Sequence, residues 1–138
     1  ADIYEDIGGK ALSLGFNALR DILEECRLNR LTRHQYITLE LGRLIAMAEV
    51  AFAFIKQAQS GSIVEDCPFN IETIKTMARI NAKNVALEIA SSGIKLINSA
   101  LEKPINKDFN ISEISKEYCG VIRDMDSLCT VLRDTFRK

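Results

Sequence analysis

Arg27 and His34 stand with six residues between them, and they are the types of side chain an RNA-cleaving site uses to hold a phosphate and move a proton. His34 is the only histidine in the chain. A single imidazole excludes a multi-histidine zinc site and a di-iron bundle site, which needs a Glu-x-x-His pattern on each of two helices. The histidine lies among Arg27, Arg30 and Arg33, but Glu24, Glu25 and Glu40 flank the cluster. That mixture reads as a solvated corner between two helices, with His34 a surface residue at a helix start.

The other candidate groups are scattered. Cys26, Cys67, Cys119 and Cys129 contain no Cys-x-x-Cys pair and have no histidine partners, so they read as reduced thiols rather than metal ligands. Gly8 and Gly9 lack the Gly-Lys-Ser/Thr that completes a phosphate loop, and no strand precedes them. Glu49 interrupts an apolar run, yet a lone acid without a base or metal partner supports no mechanism. It is read as facing a partner or solvent with Thr38, Gly42, Ala53 and Lys56. No catalytic, cofactor-binding or metal-binding residue is therefore assigned.

The chain of 138 residues has the length of one domain, 1–138, and can bury roughly 70% of the surface exposed when unfolded without disulfide or metal staples. Its formal net charge of -1 gives no electrostatic case for nucleic acid. Reduced cysteines and the lack of a secretory apolar segment at the start place it in the cytoplasm or an organelle matrix. The longest apolar run, 44–55, falls short of the roughly 18 to 20 residues of a membrane span. The chain begins at Ala1 without Met, which suits either a removed initiator or a piece of a longer protein.

Four helical patterns would carry these residues. The first covers about 3–31, with Leu12, Phe16, Leu19, Leu23 and Cys26 on one face and Gly8, Gly9 and Gly15 weakening its start. Thr32 and Gln35 form a capping-box pattern, with Leu31 and Tyr36 as its apolar staple, so the second helix is expected over 32–60. Its apolar residues lie on two faces, one including Met47, Val50 and Phe54, which predicts the most buried helix. Asn70 caps the third, 70–101, whose stripe of Ile71, Ile74, Ala78, Ala82, Val85, Ile89, Gly93, Leu96 and Ala100 is rich in small residues. A second stripe, Ile80, Leu87, Ile94 and Leu101, makes this an inner helix with neighbours on both sides.

After Pro104, Asn110 and Glu113 restart the pattern, and Ile111, Ile114, Tyr118, Val121, Met125, Leu128 and Leu132 predict one last helix with a single seam. Ile122, Cys129 and Phe136 form a row beside it that either completes the core or meets a partner. The expectation is an all-α protein, an antiparallel up-down four-helix bundle.

The third helix carries a resemblance. Met77-Ala78-Arg79, the segment Ala82-Lys83-Asn84-Val85-Ala86-Leu87-Glu88-Ile89 and then Gly93-Ile94-Lys95-Leu96-Ile97 resemble a helix of the C-terminal all-α domain of acyl-CoA dehydrogenases. Arg123-Asp124 resembles that family's late Arg-Asp pair, and the order and length of the helices are similar over nearly the whole chain. The family's Gly-Gly-x-Gly-Tyr flavin segment is replaced by Asn98-Ser99-Ala100-Leu101, and its Glu-Gly-Thr by a stretch ending Ser127-Leu128-Cys129-Thr130.

The likeness is therefore to the appended, flavin-free domain of very-long-chain acyl-CoA dehydrogenases. It implies a noncatalytic domain of a fatty-acid-oxidising flavoprotein, with no cofactor in this chain and FAD in the parent enzyme. The implied partner is the rest of that chain, with stability, homodimer formation or peripheral membrane contact as its role. Two alternatives stand beside it. One is a free-standing four-helix interaction or signalling module, with a homodimer through the Ile122 row. The other rests on Arg27 and His34, whose spacing resembles that of helical ribonucleases of the HEPN class.

Overall fold

A computed structural model describes residues 7–61, 69–104 and 107–137. They form five α-helices: α1 (Gly9–Leu28), α2 (Gln35–Ser60), α3 (Ile71–Ala100), α4 (Ile111–Glu117) and α5 (Val121–Phe136). No strand occurs among the described residues, so the protein is all-α. The expected helical start before residue 7 and the loop cysteine Cys67 lie outside the described residues.

The central pair is α1 and α3, and small side chains set how closely they approach. Gly15 lies so near α3 that a Cβ there would stand 3.1 Å from the Cα and Cβ of Ala86. Seven residues on, the fully buried Ile22 fills the notch left by Gly93, where a Cβ would collide with its Cδ1 and Cγ1. Gly8, one heptad earlier, meets Ala82 and Arg79. These contacts follow the same order along both helices, so α1 and α3 run parallel. Missing side-chain bulk thus becomes backbone proximity, which is the purpose of the small-residue stripe in α3.

α3 packs against α1, α2, α4 and α5, so its reading as the inner helix holds. Its start is also as expected, since the Asn70 side chain accepts a hydrogen bond from the Thr73 backbone N–H at 2.8 Å, satisfying one of the orphan donors of a helix end.

Three expectations need correction. The capping box at Thr32 does not form. Arg30 adopts a left-handed conformation (φ 55°), a 3-10 turn follows at Leu31–Arg33, and α2 starts at Gln35 with His34 at its N-cap. The Thr38 hydroxyl donates to the Thr32 carbonyl at 3.0 Å, while Leu31 is buried and Tyr36 exposed, so the staple is lost as well. Next, α2 is not the most buried helix. It buries a single stripe, Ile37, Leu41, Leu44, Ala48, Ala51, Ile55 and Ala58, and leaves Tyr36, Leu39 and Val50 exposed, because among the described residues it packs chiefly on α1, α3 and the 3-10 turn.

The last helical pattern is two helices instead of one. Gly120 takes a left-handed conformation (φ 83°) that ordinary L-residues resist, and it breaks the run between α4 and α5. Only Ile114 and Val121 of the expected seam are fully buried. Phe109 in the preceding connection is 3% exposed and supplies a core side chain that helical periodicity did not identify.

Candidate functional site: an open face across α2, α3 and α5

α1 covers one side of α3, through Ala82, Ala86 and Gly93. The opposite side of α3 carries Asn81, Asn84, Glu88, Ser91 and Lys95, flanked by α2 on one edge and by α4 and α5 on the other. The intermediate pattern of the sequence, polar residues gathered between two apolar stripes, produces this ridge directly. On the α2 edge, Arg43, Met47, Asn81, Asn84, Val85, Leu87, Glu88 and Ser91 line a recess of about 550 Å³. It continues past Tyr36, Glu40, Ser92, Lys95 and Ser99 toward the end of α3.

Three charges of the recess, Glu40, Arg43 and Glu88, are linked within the chain. Arg43 reaches Glu40 at 3.0 Å on its own helix and Glu88 at 3.3 Å on α3, and Glu88 accepts the Ser92 hydroxyl at 2.9 Å. These carboxylates hold the Arg43 guanidinium more firmly protonated than usual, Glu40 contributing most. On the other edge the Tyr118 hydroxyl donates to Asn84 Oδ1. Arg79 and Asp124 lock α3 to α5 through two hydrogen bonds of 2.8 Å. The guanidinium beside Asp124 holds its carboxyl below the usual range against the opposing effect of burial.

Ile122, Cys129 and Phe136, the row expected to complete the core or meet a partner, are exposed. The ring of Phe136 touches Phe69 edge-to-face, with centroids 6.2 Å apart. Turning about 100° per residue from Asp124 and Leu128, which border α3, places this row with Met125 and Leu132 on the flank away from α1. The same construction places Leu39, Ala46 and Val50 of α2 on that side too. Sequence reasoning missed the α2 half. Its signal was the second apolar face of Met47, Val50 and Phe54, which was assigned to burial.

The remaining candidates do not converge. Arg27 is paired with Glu24, His34 sits beyond the 3-10 turn, and no hydrogen bond or ion pair joins their side chains. Glu49 is exposed. Cys26 is fully buried, which raises its thiol pKa, whereas Cys119 and Cys129 are exposed and all three are free. Among the described residues no cluster of three His, Cys, Asp or Glu side chains could hold a metal. None of the described helices is long and apolar enough to cross a membrane.

The C-terminal end of α3 is closed by local contacts. Ser99 donates to the Leu96 carbonyl at 2.7 Å, the Leu101 N–H donates to the Ile97 carbonyl at 3.2 Å, and the Leu101 side chain packs on the core. These are the contacts of an ordinary helix end. No family model, curated protein or solved structure matches the chain.

Proposed function

We propose that the chain is a noncatalytic docking domain of an acyl-CoA dehydrogenase, working in the cytoplasm or an organelle matrix. The observation that carries docking is the contrast between a core completed from within, down to Ile22 seated at Gly93, and large apolar side chains left exposed on α2 and α5. A soluble chain gains nothing for its own stability from such rows, whereas a partner surface does. Support for the acyl-CoA dehydrogenase context comes from the α3 resemblance. The Arg79–Asp124 pair adds to it, because it joins the two segments that carry the likeness. FAD belongs to the parent flavoprotein in this reading.

The finer architecture we infer is an up-down antiparallel four-helix bundle, with α4 and α5 together as the fourth member. Its support is the order of contacts. Phe16 of α1 meets Phe52 late in α2, Arg43 early in α2 meets Glu88 late in α3, and Arg79 early in α3 meets Asp124 beyond the Gly120 break.

The test uses the 138-residue chain mixed with the flavoprotein body of an acyl-CoA dehydrogenase lacking its own appended domain. Co-elution at unit stoichiometry, with the chain itself colourless, is the expected result. Stoichiometric FAD bound to the purified chain would overturn the noncatalytic assignment. Failure to bind any such body, with another protein captured through the same face, favours the free-standing interaction module.

A further inference from the structure

We propose that the cleft between α1 and α2 binds a small aromatic carboxylate, with its ring against Phe16 and Phe52 and its charge at Lys56. The cleft encloses about 350 Å³ and shares no lining residue with the recess on the α2–α3 edge. That volume falls within the roughly 300–1,000 Å³ of small-molecule sites. The assignment goes beyond the docking reading, and neither depends on the other.

The lining divides into an apolar interior and a polar rim. Leu12 and Ile55, 2% and 1% exposed, close the floor. Phe16 and Phe52 form the wall, their rings meeting edge-to-face at 83° with centroids 6.1 Å apart. Aromatic rings gain from offset and edge-to-face contacts beyond the area they bury, so this wall favours a flat ring over a flexible chain. The rim supplies the polar end. Lys56, one turn after Phe52, holds its ammonium 5.3 Å from the Phe52 centroid and makes no ion pair among the described residues. Ser13 and Asn17, one turn apart on α1, line the same cleft, and neither side chain is hydrogen-bonded among the described residues. Ser91 and Ser99, by contrast, return their hydroxyls to carbonyls of α3. A serine hydroxyl and an asparagine amide both donate, so one cation and two neutral donors match a single carboxylate. A phosphate or dicarboxylate brings more negative charge than Lys56 offsets.

Two-dimensional amide NMR of the chain titrated with phenylacetate tests the site, with phenethyl alcohol and phenethylamine as probes that keep the ring and change the charge. Phenylacetate is expected to shift amides of 12–17 and 52–56 and to saturate with a Kd on the order of a few millimolar, the scale for so small a ligand. The alcohol should bind roughly fivefold more weakly, the scale of an ion pair that stays in contact with water, and the amine more weakly still. Lys56→Gln should bring phenylacetate down to the affinity of the alcohol and leave the alcohol unchanged. Ser13→Phe, which sets a ring across the cleft, should abolish binding of both, whereas Lys95→Gln, in the other recess, should change neither. Ser13, Lys56 and Lys95 are not buried, so circular dichroism of the variants should match the wild type. Shifts that stay linear throughout the titration, shifts centred away from α1 and α2, equal affinity for the three probes, or unchanged binding in Ser13→Phe overturns the proposal.

Discussion

Arg79 on α3 and Asp124 on α5 face each other in a two-pronged ion pair, Nε to Oδ2 and Nη2 to Oδ1, both at 2.8 Å. Both side chains are about three-quarters covered. α5 fully buries only Val121 and packs mainly on α3, so this pair is a principal fastening of the last helix.

Replacing Asp124→Asn keeps the shape but removes the charge opposite Arg79. The expected loss is about 2 kcal/mol, the scale of hydrogen bonds to charged groups in a partly covered site. The effect depends on pH with a definite sign. The folded carboxyl titrates below its unfolded value of about 4, so its stabilisation is complete above that value and fades as pH falls through the lower folded value. Urea unfolding at pH 7 should separate wild type from Asp124→Asn, and the gap should be smaller at about pH 2. A gap of equal size at both pH values contradicts the ion-pair account.

Gly93 is required for space. A methyl group there would collide with Ile22 Cδ1 and Cγ1, both part of a fully buried side chain. Gly93→Ala gains about 1 kcal/mol in helix propensity, but overpacking should outweigh it for a net loss of about 1–2 kcal/mol. Ile22→Ala alone should cost about 3 kcal/mol through the cavity it leaves. The double variant should lose less than the sum of the two, because the new methyl occupies space that Ile22 vacates. Additive losses in a denaturation cycle would remove the notch from the account.

The thiols should divide by exposure. Burial raises the Cys26 pKa and blocks reagent access, so a maleimide at pH 7 should modify Cys119 and Cys129 in the folded chain and reach Cys26 only in denaturant. Peptide mass mapping before and after unfolding reads this out. Labelling of Cys26 at the same rate as Cys129 in the native chain contradicts the packing of α1.

The parts of the fold legible in the sequence were those set by short-range chemistry repeated over many turns. The two stripes of α3 and the Asn70 cap identified the inner helix because local hydrogen bonding and helical period pointed to the same place. The start of α2 was misread because Thr32 and Gln35 have capping-box spacing, while Arg30 and the buried Leu31 impose a 3-10 turn that moves the start to Gln35. The break at Gly120 carried its own signal, a glycine inside a helical pattern, but the unbroken spacing of Ile114, Tyr118 and Val121 concealed it. The open face was half legible. Ile122, Cys129 and Phe136 stood out as a surplus row, whereas Leu39 and Val50 of α2 did not, since periodicity shows that a face is apolar without showing whether another helix covers it.

The claim that the α2, α3 and α5 face is covered in the working protein is tested most directly by carbene footprinting of the chain titrated with the flavoprotein body of an acyl-CoA dehydrogenase. Labelling of Leu39, Val50, Ile122 and Phe136 should fall together as the body is added, with Leu28 unchanged. Labelling of these four side chains that stays constant, or that tracks Leu28 at every step of the titration, contradicts the account.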